Sequence, residues 1–416
     1  MSDFLSNSKL RMSIVMSVIL LVGASTLDRA IFQETPRTDF TVYSSAAQAV
    51  LDGKDIYEIS NVRGWRYVYP PLFAITMVPL AKAPLWLAVI VWYLVSVAAV
   101  FHSIKMCVAL TYQQAAPPRE TVIIHYLPVL IIIGLLLDGI ARGQASVLLM
   151  WLVIAGIYFE RRGAWLGGAA CLAGAVSLKV FPLTLLGYFV WKRKWRFTAA
   201  TLVFIAAGIF LIPAMVFGWH ANLALLNEWV AIIGKPAMNI GSTDSPAFAQ
   251  LLDPSKLRNQ SFEAVFTRIL PHANAQLLAL AVGVIMAIVM LLVAKRKPDR
   301  ALLLSAALCW MVLISPVAEN HYFVLLLLPV TSLVVLRRKR LAWSALVIFF
   351  ITITMRDCVE IAKFYGALCW GNLWLWLTFM IFSIRGVRLS QASSPHEMPD
   401  EHRMSVPLGK ILPIGS

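Results

Sequence analysis

Residues 161–194 read RRGAWLGGAACLAGAVSLKVFPLTLLGYFVWKRK. The interior is apolar for nearly thirty positions, and a basic cluster stands at each end. A single helix across it would place Arg161-Arg162 and Lys192-Arg193-Lys194 on opposite sides of a membrane. Two short helices broken at Lys179-Val180-Phe181-Pro182 keep both clusters on one side. Pro182 suits the first turn of the second helix, where no N–H partner is needed. Irregular backbone at membrane depth survives only where it is buried in protein or lines a cavity. Lys179 therefore marks a functional break, the alternative being a side chain that snorkels to the surface.

The same reading extends along the chain. Of 416 residues, 60% are hydrophobic and 14% charged, too much apolar surface for a soluble protein of this size to bury. Apolar runs recur from Met12 to Ile384 without strand-like alternation, so the spans are helices. Their bounds predict about twelve spans: 12–28, 85–104, 122–138, 144–159, 164–178, 180–191, 197–217, 276–294, 301–316, 322–336, 341–355 and 365–384. The first run follows Lys9 and Arg11 as a signal peptide would, but no small-residue cleavage site follows, so it is read as a retained span.

With both termini in the cytoplasm, the inside segments carry 22 Lys/Arg against 7 Asp/Glu, and the outside segments 14 against 14. Lys192-Arg193-Lys194, Lys295-Arg296-Lys297 and Arg337-Arg338-Lys339-Arg340 all fall inside. This is the positive-inside pattern, so the net charge of +15 marks topology and anionic lipid and calls for no nucleic-acid partner. Cys107, Cys171 and Cys309 read as packing residues; Cys358 and Cys369 fall near the outer face, and free thiols are the preferred reading.

Two outer segments are long enough to hold structure. In the first, from about residue 29 to 84, Phe40, Tyr43, Ala47 and Val50 recur at helical spacing and Gly53 supplies a stop. This predicts a short amphipathic helix on the membrane surface. Pro70-Pro71 then opens a second apolar piece closed by Pro79 and Pro84. The second segment, from about 218 to 275, holds Trp219-His220, Trp229, Lys235-Pro236, Asp244 and Arg258-Asn259-Gln260-Ser261. Residues 1–388 read as one transmembrane domain and 389–416 as a polar, disordered cytoplasmic tail.

Polar motifs gather at the outer ends of the spans: Asp39; Asp138 with Arg142-Gly143-Gln144; Lys179; Arg258-Asn259-Gln260-Ser261; and Ser315-Pro316-Val317-Ala318-Glu319-Asn320-His321-Tyr322. Each has a plainer reading beside the functional one. Asp39 also fits a helix cap or a partner of Arg37. Arg142 fits an ion pair with Asp138 four residues earlier. Tyr69 fits an interfacial anchor, and His321 a polar loop residue. Their concentration on one face favours a site there. No ATP-binding loop, no cluster at metal-ligand spacing and no Gly-x-Ser-x-Gly is present, so neither a nucleotide motor nor a metal or other cofactor is expected.

The runs Asp39-Phe40-x-x-Tyr43, Gly53-x-x-Ile56-Tyr57 and Tyr67-x-Tyr69-Pro70-Pro71-Leu72-Phe73 resemble glycosyltransferase family 87, the polyprenyl-phosphate-mannose-dependent membrane mannosyltransferases of GT-C fold. Gly143-Gln144, Lys179-x-Phe181-Pro182, Asn259-Gln260-Ser261 and Ser315-Pro316 follow in the family's order, so the resemblance spans roughly residues 36 to 330. Arg258 stands where the family commonly has Gly. The resemblance implies an all-α, GT-C-like protein with short amphipathic or re-entrant helices on its outer face. It implies Asp39 as the general base of an inverting transfer, at the periplasmic or extracellular side of the cytoplasmic membrane. The donor is then a polyprenyl-phosphate sugar and the acceptor a glycolipid or glycan. Such a transfer needs cations to hold the departing lipid phosphate, for which Arg142, Lys179 and His321 are the candidates. Tyr69, Gln144, Asn259 and Gln260 would orient the sugar or its phosphate. The rival reading is a secondary transporter or lipid flippase of about twelve spans, which a broken helix and an embedded Lys also suit.

Overall fold

The computed structural model describes residues 8–33, 38–112, 118–238, 240 and 246–389. Arg37, Asp244 and the tail expected over 390–416 lie outside the described residues.

Among these residues the regular elements are helices, with one isolated antiparallel bridge between Ser60 and Arg66. Helix α1 (Ser8–Leu27), continued by a π-helical turn at Asp28–Phe32, is followed by α2 (Asp39–Asp52) and α3 (Pro71–Ala81). Then come α4 (Leu85–Thr111), α5 (Pro118–Ile131), α6 (Ile133–Ala141) and α7 (Ser146–Arg161). The helix α8 (Trp165–Leu178) and the turn Phe181–Thr184 lead into α9 (Leu185–Trp191). Beyond these lie α10 (Trp195–Phe217), α11 (Trp219–Trp229), α12 (Phe262–Ile269), α13 (Ala275–Ala294) and α14 (Arg300–Leu313). The last three are α15 (Leu327–Val335), α16 (Arg340–Cys358) and α17 (Ala367–Ile384).

The span count departs from the expected twelve. Among the described residues six helices are long and apolar enough to cross a membrane: Met12–Phe32, α4, α10, α13, α16 and α17. A seventh is added if the pair Arg119–Ile131 and Ile133–Ala141, bent by 62°, is one broken span. The remaining expected spans are short. Trp165–Leu178, Phe181–Trp191, Arg300–Leu313 and Asn320–Val335 are apolar helices of 10–17 residues, and α7 has 16. At 1.5 Å per residue these fall short of a hydrocarbon core of about 30 Å. Arg300–Leu313 and Asn320–Val335 are apolar for another reason: they pack inside the protein. Leu302, Leu308, Val312, Leu326, Val330 and Leu333 are all fully buried. By contrast Leu277, Leu280 and Ile285 on α13 are about 60% exposed, as a lipid-facing surface requires. Hydropathy does not separate an apolar helix wrapped in protein from one wrapped in lipid.

The break within 163–191 falls where expected. Helix α8 ends at Leu178, Lys179 is extended, and Pro182 opens the following turn. The short amphipathic helix also forms, with Gln48, Leu51 and Asp52 exposed. Phe40, Tyr43, Ala46 and Ala47 of α2 are buried against α3 and α4, so its apolar face meets protein. It stops at Gly53, whose φ of 66° lets its N–H return to the carbonyls of Ala49 and Val50. All five cysteines are free.

At the opposite end of the bundle the basic clusters find buried or half-buried acids. Glu160 meets Lys194 at 2.8 Å and contacts Arg300; Glu120 meets Arg338 at 2.7 Å and Arg337 at 3.2 Å. Each acid ties together helices distant in sequence.

Candidate active site

The N-terminus of α2 is pinned to the turn after α6. The Asp39 N–H donates to the Arg142 carbonyl at 2.8 Å, which places the Asp39 side chain in the first turn of α2. Gly143 makes this approach possible. Its φ is +64°, and a Cβ there would stand 2.8 Å from the Phe40 Cβ. Its carbonyl accepts from Trp92 Nε1 at 2.9 Å, locking the turn to α4. Gln144 then meets the Tyr43 hydroxyl at 3.5 Å, and Tyr43 and Tyr69 share a hydrogen bond of 3.0 Å. Motifs a hundred residues apart thus form one wall.

Lys179 reaches the same place from the α8–α9 break. Its Nζ donates to Ser146 Oγ at 3.1 Å, lies 3.5 Å from His321 Nε2, and sits 3.9 Å from the centre of the Tyr322 ring. Glu319 closes the circle, 2.9 Å from Arg258 Nε and 3.7 Å from His321 Nδ1.

These groups line a cavity of about 550 Å³. One part is polar, with Asp39, Arg142, Gln144, Lys179, Glu319 and His321. Another is apolar, with Val230, Ile233, Ala237, Met238, Leu251 and Leu252. A cavity with a charged head and a greasy flank suits an amphiphile.

Burial pushes the Asp39 carboxyl up to about 6; the nearby Glu319 charge adds to this, and Arg142 and Lys179 oppose it. Burial likewise pulls the Lys179 ammonium down to about 7 against the pull of Glu319 and Asp39. One Asp39 carboxylate oxygen, Oδ2, is buried without a hydrogen-bond partner among the described residues. An acid of this kind is poised to take a proton near neutral pH.

Arg142 does pair with Asp138, at 2.8 Å, yet still lines the cavity beside Asp39. The cavity brings together Asp39, Tyr69, Arg142, Gln144, Lys179 and His321. It does not include Asn259 and Gln260, expected at the substrate. Both are fully buried behind its wall. Asn259 donates to the Pro316 carbonyl at 2.9 Å and accepts from the Ala318 and Ser261 N–H groups. Gln260 donates to the carbonyls of Leu257 and Lys363. The Asn259 amide and the Gln260 NH₂ group are taken up in holding three loops together, while Gln260 Oε1 has no partner among the described residues. The outer-end motifs of the sequence include Arg258, Glu319 and Tyr322 but assign them no role, and Ser146 goes unnamed. Glu319 stands two residues before His321 and Ser146 two after Gln144, and that proximity was the available signal.

The fold and the cavity define a polytopic, all-α membrane protein with an acid-and-cation site at one end of its helices. The model of glycosyltransferase family 87 matches residues 67–316, more than half of the chain, and the chain belongs to that family. It is therefore an enzyme of the GT-C glycosyltransferase superfamily, and the transporter reading is set aside. Among solved structures, the crystal structure of ArnT from Cupriavidus metallidurans bound to undecaprenyl phosphate is similar over 91% of this chain and 78% of its own, at 12% identity and a TM-score of 0.41. No curated protein matches the chain.

Proposed function

We propose that this protein transfers a sugar, mannose by the family resemblance, from a polyprenyl-phosphate donor to a glycolipid or glycan acceptor at the outer face of the cytoplasmic membrane. The observation that carries the reading is the Asp39 carboxylate, with its unpartnered oxygen, in a cavity that also holds Arg142 and Lys179 and continues into an apolar flank. In this reading Asp39 takes the proton of the acceptor hydroxyl as that oxygen attacks the anomeric carbon from the face opposite the phosphate. The bond from the anomeric carbon to the phosphate oxygen breaks, and the configuration inverts. The lipid phosphate departs with the bonding pair, facing the Lys179 ammonium and the Arg142 guanidinium. Fixed cations in a partly desolvated cavity act with little screening, so they favour the developing charge strongly. Tyr69 and Gln144 line the space left for the sugar, and the prenyl chain follows the apolar flank.

The test is purified protein with labelled polyprenyl-phosphate-mannose and a membrane lipid extract. The wild type makes a labelled product. Asp39→Asn keeps shape and donor affinity but loses about 10²–10⁴ in rate. Lys179→Ala loses about 2–4 kcal/mol of transition-state stabilisation, and Lys179→Arg less. Near-normal turnover by Asp39→Asn would remove it from the base role.

A further inference from the structure

We propose that Glu319 is a positioning residue: it holds His321 with its proton on Nδ1, so that Nε2 receives the Lys179 ammonium and fixes that cation in the cavity. The inference rests on the transferase reading for its consequence, but not for its geometry.

Four links run in series. Arg258 Nε holds one Glu319 oxygen at 2.9 Å, and its guanidinium also contacts the Gln250 carbonyl. The other Glu319 oxygen then faces His321 Nδ1 at 3.7 Å, longer than a hydrogen bond but close enough for the carboxylate's field to select a tautomer. On the far side of the ring, Nε2 lies 3.5 Å from Lys179 Nζ. With Lys179 in its ammonium form, which has only donors, Nε2 presents its lone pair and the ring proton sits on Nδ1. Lys179 is finally seated by Ser146 Oγ at 3.1 Å and the Tyr322 ring. No other side chain pairs with His321 Nδ1 among the described residues. His321 in this arrangement is a neutral spacer between an acid and a base, and not the third cation that its position suggested. Arg258, which departs from the family's common Gly, is what orients the acid.

Glu319 has a second effect. Asp39 shares the cavity wall with Glu319, Arg142, Lys179, Arg258, His321, Gln144, Tyr43, Tyr69 and Tyr322. Glu319 is the other acid in this set, and its charge helps to raise the Asp39 carboxyl. Neutralising it lets Asp39 ionise at lower pH.

The experiment uses full-length protein in detergent with ¹⁵N-histidine, the His321 signals being those lost in His321→Gln. The wild type is expected to show a protonated Nδ1 and a bare Nε2. Glu319→Ala should populate both tautomers, and Arg258→Ala should do so in part. If Glu319→Ala does not fold, Glu319→Gln carries the measurement. A wild-type proton on Nε2, or a tautomer indifferent to the Glu319 substitution, overturns the proposal. In transfer assays Glu319→Gln should lower kcat tenfold or more, and the acidic limb of its kcat/KM profile should move to lower pH. A reduced rate with an unmoved limb would leave Glu319 a packing role only and also overturn the proposal. If the tautomers behave as expected while the wild type transfers no sugar, the transferase reading fails and the positioning role stands.

Discussion

The backbone N–H of Asp39 donates to the carbonyl of Arg142 across 2.8 Å, joining the first turn of one helix to the last turn of another a hundred residues later. That bond sets where the acid stands relative to the cations. It is a backbone contact, so side-chain chemistry alone does not announce it. Its integrity depends on Gly143, the next residue.

Gly143→Ala should therefore damage both stability and rate. The backbone at φ +64° disfavours a side chain by about 1–2 kcal/mol, and the new methyl meets Phe40. The expected loss is roughly 2–3 kcal/mol in detergent unfolding, with transfer reduced further because Asp39 moves. Wild-type stability and rate together would show that the contact is easily relieved.

Asp39 should cost the fold stability at neutral pH. Its folded carboxyl lies at about 6, above the ordinary 3.8, so the folded state favours the proton. The contribution is full below about pH 4 and is lost as pH rises towards and through 6. Asp39→Asn, which never ionises, should unfold at higher temperature than the wild type at pH 7.5, with the difference vanishing near pH 4. Melting curves across that range give the answer, and a gap that is constant with pH would contradict the cause assigned.

The rate should follow a bell. A base at about 6 and an ammonium at about 7 give kcat/KM limbs near those values in the free enzyme. In Lys179→Arg the basic limb should disappear, since a guanidinium stays charged. A basic limb that survives this replacement belongs to another group.

Asn259→Ala should unfold the site without touching its chemistry. The change strands the Ala318 and Ser261 N–H groups in a buried place, which costs roughly 2–4 kcal/mol. In the fraction that remains folded, donor affinity should match the wild type. A selective loss of donor affinity at unchanged stability would return Asn259 to the substrate.

Topology can be read independently. Reporter fusions after Lys194, Lys297 and Arg340 should report the cytoplasm, and fusions within 220–270, the range 220–238 included, the exterior. The reverse result for 220–238 would move the site to the other face.

Much of this protein is legible in one dimension. The helical class, the membrane, the break at Lys179-Pro182 and the α2 stop at Gly53 all follow from local composition and spacing, because each depends on neighbours in the chain, and the resemblance to the family supplied the order of its motifs. The span count was not legible, because a buried helix such as α14 and a lipid-facing one such as α13 are equally apolar, and only packing distinguishes them. The fate of the polar motifs was not legible either. Asn259 and His321 look alike as outer-loop residues, yet one holds loops together and the other lines the cavity. Tertiary structure decided that, since a side chain's role is set by which atoms complete its hydrogen bonds, and those atoms come from elements far away in sequence.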